Sequence, residues 1–242
     1  GAASGSGTNT ITVDPVGTLS GETGYYVEID AGALVDFSGN PYAGIANKDT
    51  WNFVTEDIAP PVVTAYSPTD NAITVGINAS LVLTFNEPVN AVFGDIRIRR
   101  SADNSVFETI PVGGVSGSGT NTITIDPAGT FAGETGYYVE IDAGALMDFS
   151  GNPYAGIADS TTWNFTTEDV DAPTVAAYSP ADDTTGVDIN ANLVLTFNEP
   201  VNAVFGDIRI RRSSNGLLVE TISVASVTGS GTNTITIDPV GT

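Results

Sequence analysis

Along residues 58–169 apolar and polar positions alternate with period two in short runs, each bounded by Gly, Pro, Asn or Ser. Residues 61–68 (PVVTAYSP) predict a first strand held between prolines. Residues 80–85 (SLVLTF) place Leu81, Leu83 and Phe85 on one face, and 95–100 (DIRIRR) send Ile96 and Ile98 inward and Arg97 and Arg99 outward. Runs at 106–112, 121–126, 137–142 and 162–167 complete a set of seven. No stretch of helical period competes with them. Seven short strands with polar turns predict an all-β fold, an antiparallel two-sheet sandwich. Glu87 and Glu199, each inside Asn-Glu-Pro after a core strand, are expected in the turn that follows it. The turn after 207–212 reads SSNG (213–216), in which Asn215-Gly216 is a two-residue hairpin signal.

One local pattern fixes the type of sandwich. Leu19, Thr23 and Tyr25 have the L-x-x-x-T-x-Y spacing of a tyrosine corner, in which a Tyr hydroxyl bonds back to the chain just before its strand. Phe131, Thr135 and Tyr137 repeat it. Trp163 and Phe165, like Trp51 and Phe53, then belong to the core on the last strand rather than to a ligand-stacking platform.

The pattern recurs with a fixed period. SGSGTNTITVDP at 4–15 returns as SGSGTNTITIDP at 116–127 and as GSGTNTITIDP at 229–239, an offset of 112 each time (118 − 6, 230 − 118). GETGYYVEIDAGAL at 21–34 returns at 133–146. A period near ~100 residues is a whole domain per repeat, not a solenoid unit. The chain therefore divides into 1–57, the C-terminal half of a repeat; 58–169, a complete repeat; and 170–242, the N-terminal part of another. The expected fold is tandem seven-stranded sandwiches, one complete and two partial.

Charge and composition narrow the function. The net charge is −22, and residues 58–169 alone carry 3 Arg and 13 Asp/Glu, a balance of −10. Such a surface repels phosphate backbones, so nucleic acid is not an expected partner. There is no cysteine and no histidine, which removes disulfides, thiol chemistry, Ser-His-Asp catalysis and histidine metal sites. No apolar run of ~20 residues spans a membrane. Lys48 is the only lysine and Ser160 stands in its place in the next copy, so a Lys–Asn cross-link is excluded for the complete repeat.

The segments AYSPTDNAITVGINASLVLTFNEPVN (65–90), SGSGTNTITIDP and DFSGNPYAGIADSTTWNFTTE (148–168) resemble the bacterial Ig-like domains of the S-layer-protein type. The likeness covers the whole repeat. It implies an Ig-like sandwich in an extracellular or cell-surface bacterial protein of many domains, with no common catalytic residues.

Calcium is the candidate chemistry, because hard cations take carboxylate, amide and carbonyl oxygens. The junction Glu168-Asp169-Val-Asp171 places three acids within four residues, and the earlier junction holds Glu56 and Asp57, with Ala59 where Asp171 stands. Loop residues Asp70 and Asn71 are further candidate ligands at the first junction. A cation there would stiffen the hinge; the alternative is a solvated acidic hinge made rigid by proline. Asp148 and Asn152, with their copies Asp36 and Asn40, are a second candidate: they are expected to hold a turn through side-chain-to-backbone bonds, the alternative being a metal site. Six of the seven basic residues are Arg97, Arg99, Arg100 and their copies Arg209, Arg211, Arg212. They are expected to pair with neighbouring strands, for example with Glu108, or to form a stripe that docks on an acidic face of another copy.

These features predict a non-enzymatic structural segment of a surface protein: a stalk, adhesin arm or fibre. The alternative is a binding module whose loops recognise a glycan or a partner protein. Its expected partners are neighbouring repeats or copies of the same chain, with a head-to-tail fibre as one arrangement. The half-repeats fit either a window from a longer uniform array, which is favoured, or completion of one chain's C-terminal half by the next chain's N-terminal half. Against the latter, residues 8–13 and 232–237 compete for one strand position.

Overall fold

The computed structural model describes residues 1–240. It forms two compact units, Gly1–Asp169 and a second that begins at Val170. Each is described by itself.

In the first unit the N-terminal segment makes two small antiparallel pairs. Strand β1 (Ala2–Ser4) pairs with β2 (Thr12–Asp14), and β3 (Gly24–Tyr26) with β4 (Asn52–Val54). The complete repeat follows as β5 (Val63–Ser67), β6 (Ala72–Val75), β7 (Leu81–Ala91), β8 (Asp95–Arg100), β9 (Val106–Pro111), a 3-10 turn at Val112–Gly114, β10 (Thr120–Ile125), β11 (Gly136–Ile141), β12 (Leu146–Met147) and β13 (Asn164–Thr167). They form two sheets. One has the order β10-β7-β12 with β5 also on β7; the other is β6-β13-β11-β8-β9. All pairings are antiparallel except β6 with β13.

The seven predicted strands are all present, and two short ones, β6 and β12, join them. The period-two pattern sets the core: Leu81, Leu83, Phe85 and Val89 from β7 meet Ile96, Ile98, Tyr137, Val139, Trp163 and Phe165 in one buried cluster. Trp163 is fully buried and donates its indole N–H to the Pro68 carbonyl at 2.8 Å, so its polar edge is satisfied inside the sandwich. The corner is as predicted: Ala132 N–H donates to the Tyr137 hydroxyl at 3.0 Å. Gly156 turns the chain at φ +80 where a Cβ would collide with the Ile141 carbonyl, so no other residue fits there.

In the second unit β14 (Val175–Ser179), β15 (Leu193–Val201) and β18 (Thr232–Ile237) form one sheet, and β16 (Asp207–Arg211) and β17 (Leu218–Ser223) a hairpin. Arg212 N–H bonds the Leu217 carbonyl at 3.0 Å and Gly216 N–H the Arg212 carbonyl at 2.8 Å. The β16–β17 loop therefore spans 213–216, the predicted turn, with Asn215-Gly216 as its last two residues and not as a two-residue hairpin of their own. Its core is smaller, with Ile222, Ile235 and Ile237 buried and Leu193, Leu195, Phe197, Ile208 and Ile210 only partly covered.

Candidate metal centre

Among the described residues, one group of three acids converges. The carboxylates of Asp57, Glu87 and Asp148 offer oxygens within 4.8 Å of one another. Each comes from a different element: Asp57 from the junction, Glu87 from β7 and Asp148 from the turn after β12.

Glu87 corrects the sequence expectation. It lies within β7, not in a turn beyond it, because the strand continues through Asn86-Glu87-Pro88 to Ala91. Period two puts Glu87 in phase with Leu81, Leu83, Phe85 and Val89, on the core side of the strand. Pro88 lacks a ladder N–H, and the β7–β10 register shifts beside it, between Thr120 and Thr122. Burial pushes the Glu87 carboxyl up from its ordinary range, and the charges of Asp57 and Asp148 add to that rise.

Asp148 sits in the turn predicted for it. It is buried, which opposes ionisation, but hydrogen bonds outweigh burial and hold its carboxyl below the usual range. The Asn152 side chain donates to Oδ2 at 2.7 Å and its backbone N–H to Oδ1 at 2.8 Å. The same Asn152 amide donates to the Asp57 carbonyl at 3.2 Å, tying the junction backbone to the turn. Asp36 and Asn40 repeat the turn in the N-terminal segment, with bonds of 2.8 Å to Oδ1 and Oδ2.

Asp57 also holds its own turn, while the other predicted junction acids go elsewhere. Asp57 Oδ1 accepts the Ala59 N–H at 2.9 Å. Glu56 is exposed, and its carbonyl, not its carboxylate, takes the Glu22 N–H. Glu168 turns into its own domain, where Oε1 accepts the Ile77 N–H at 3.2 Å. Asp169 and Asp171 are exposed. Asp70 is committed to the sandwich, accepting the Asn164 backbone and side-chain amides at 3.0 and 2.9 Å. The structure thus joins Asp57, from the predicted set, to Asp148, expected first as a turn residue, and to Glu87, for which no chemistry was expected.

The arginines pair across the sheet, but with different partners from the one expected. Arg97 bonds Asp142 at 2.6 Å and Asp95 at 3.3 Å, and Arg99 bonds Glu140 at 2.7 Å. Glu108 instead accepts the N–H groups of Ala128 and Gly129, both at 3.1 Å. Arg100 stacks over Phe107, 5.4 Å from the ring centroid. No helix of the described residues is long and apolar enough to cross a membrane.

Compared with known proteins, the chain matches the family described as bacterial Ig-like domain over residues 2–55, 57–167 and 169–242. No curated protein matches it.

Proposed function

Since the chain belongs to the bacterial Ig-like domain family, which is generally non-catalytic and occurs in bacterial surface proteins, we propose that it is a structural segment of an extracellular surface protein. Its role is mechanical: a stalk, adhesin arm or fibre in which sandwiches follow one another at fixed intervals. The observation that carries this reading is the 112-residue period, kept without a gap through three family matches. Equal spacing gives every junction the same length of chain. A single-copy enzyme has no use for that regularity, whereas reach scales directly with copy number.

Calcium at the junction belongs to the same proposal. Asp57, Glu87 and Asp148 supply hard oxygen ligands from junction, strand and turn, the donor set a calcium ion takes. With no cation the three like charges repel; with one, the junction is fastened to the body of the sandwich. The sequence repeats the junction and strand acids at Asp169 and Glu199, 112 residues on.

Antibody raised against the chain, applied to intact cells of the source bacterium, is expected to label their surface. Labelling only after permeabilisation refutes the surface reading. Calcium titration followed by calorimetry is expected to raise the melting temperature of the chain, and Asp148→Asn to abolish that rise. An unchanged melting temperature at millimolar calcium refutes the cation without touching the structural role.

A further inference from the structure

Of all the asparagines in the chain, only Asn215 is followed by glycine. It stands at the tip of the β16–β17 hairpin, where residues 211–219 are all exposed. Gly216 lies in the left-handed region at φ +69, and apart from its chain neighbours nothing lies within 4 Å of where its Cβ would be. No side chain therefore shields the backbone nitrogen that follows Asn215.

The complete repeat builds the same turn from different residues. There Ser105 N–H donates to Asp103 Oδ1 at 2.9 Å, as Leu217 N–H donates to Asn215 Oδ1 at 3.0 Å. Asn104 N–H reaches the Arg100 carbonyl at 3.0 Å, as Gly216 N–H reaches that of Arg212 at 2.8 Å. Arg99 donates to the Asn104 carbonyl at 2.9 Å, and Arg211 to that of Gly216 at 3.0 Å. The turn thus accepts a carboxylate in place of the Asn215 amide without losing these bonds. Bonds from the Ser105 hydroxyl and N–H hold the Asp103 carboxyl below its ordinary range, and the Arg100 charge adds to the effect. Arg212 stands in the place of Arg100 in the second unit.

We propose that Asn215 is a deamidation site, converted through a cyclic imide to aspartate and isoaspartate. The Gly216 nitrogen gives up its proton and attacks Asn215 Cγ. The new N–Cγ bond closes a five-membered ring, and the Cγ–Nδ2 bond breaks to release ammonia. Water then opens the ring. Opening at the side-chain carbonyl restores the main chain and leaves aspartate. Opening at the backbone carbonyl leaves isoaspartate, with one extra carbon in the main chain. Overall one water is taken up and one ammonia is lost, so no oxidant or reductant is needed. The Arg212 carbonyl holds Gly216 N–H, so attack requires the turn to open, as an exposed hairpin tip does at low cost. At every other asparagine the side chain of the following residue hinders ring closure.

The two products meet different fates. Aspartate at 215 takes up the turn that Asp103 already makes. Isoaspartate lengthens the loop by one main-chain carbon, so the bonds Leu217 to Asn215 and Gly216 to Arg212 cannot both survive, and the hairpin loosens at its tip. Either product adds one negative charge beside Arg211 and Arg212. The complete repeat carries Asp103 at this place and cannot react there, so the chain holds its own control. The inference stands on the turn alone and does not depend on where the protein resides.

Ageing the full chain in warm, mildly alkaline buffer is expected to add one mass unit to the peptide holding residue 215. That gain should be several-fold faster than at any other asparagine, and isoaspartyl methyltransferase should label the same peptide. Gly216→Asn copies the residue of the complete repeat and is expected to slow the gain several-fold. Asn215→Asp is expected to abolish it and to leave amide exchange at Leu217 unchanged. No gain at residue 215, or a gain spread evenly over the asparagines, overturns the inference. So does a Gly216→Asn variant that reacts as fast as the parent, or faster exchange at Leu217 in Asn215→Asp, since aspartate would then not fit the turn.

Discussion

The tyrosine corner occurs twice in this chain, once buried and once open, and that allows its contribution to be measured against an internal control. In the complete repeat the Tyr137 ring is fully buried, with Phe131 at 4.8 Å and Phe165 at 5.8 Å between ring centroids, and its hydroxyl accepts Ala132 N–H at 3.0 Å. Tyr137→Phe keeps the ring and removes the acceptor. The bond is partly buried against the covered Tyr137 ring, and leaving its donor without an acceptor costs about 1–3 kcal/mol. For a domain of this size that is a fall of roughly 4–12 °C in melting temperature. In the N-terminal segment Tyr25 accepts Ser20 N–H at 2.9 Å, but the bond is exposed and the Tyr25 ring only half-buried, so water can replace the lost oxygen. Tyr25→Phe is therefore expected to change stability by less than about 0.5 kcal/mol. Urea unfolding followed by circular dichroism, with amide exchange read at Ala132 and Ser20, measures both in the full chain. Equal effects of the two variants, or less than about 0.5 kcal/mol for Tyr137→Phe, would show that the corner hydroxyl is not what locks the crossover.

Three further outcomes follow from the same geometry. Trp163→Ala empties the centre of the core and is expected to cost about 3–5 kcal/mol, enough to unfold much of the complete repeat, as tryptophan fluorescence and near-ultraviolet dichroism would report. A double-mutant cycle on Arg99 and Glu140, about three-quarters covered at 2.7 Å, is expected to give a coupling near 1 kcal/mol that shrinks at high salt; no coupling at low salt would make the pair ornamental. The acids respond to pH with opposite signs. Asp142, paired with Arg97, and Asp148, bonded by Asn152, have lowered values, so their stabilisation is present above the ordinary aspartate range and is lost as pH falls through the folded values. Glu87 has a raised value, so it costs stability at neutral pH and that cost disappears on acidification. In calcium-free buffer Glu87→Gln is expected to be more stable than the parent at pH 7 and to lose stability more steeply between pH 6 and 3; a parallel curve refutes the assignment.

The strands were legible because their alternation is strict and their turns carry the residues that turns require. Ile96 and Ile98, the corner at Tyr137 and the burial of Trp163 all followed from period and spacing. The two short strands were not legible. β6 is four residues long and β12 two, and each exists only because a partner distant in sequence, β13 or β7, lies beside it. The candidate metal centre was half legible. Asp57 stood out in an acidic junction, but a run of adjacent acids says nothing of which ones converge in space. Glu87 carried a usable signal, its parity with Leu83 and Phe85, which the proline beside it obscured. The partners of the arginines were fixed by strand order: β8 lies between β9 and β11, and the carboxylates that reach Arg97 and Arg99 across the sheet come from the β11 side.

The parallel pairing of β6 with β13 decides how the sandwich bears tension. β6 lies near the start of the repeat and β13 ends it, so a pull on both ends, once β5 is drawn off, slides the two strands past each other lengthwise. The bonds Asn71 N–H to the Asn164 carbonyl and Glu168 N–H to the Val75 carbonyl, both 2.8 Å, then share the load and must break together instead of unzipping singly. Glu168, read from sequence as a ligand in the junction, adds a third fastening through Ile77.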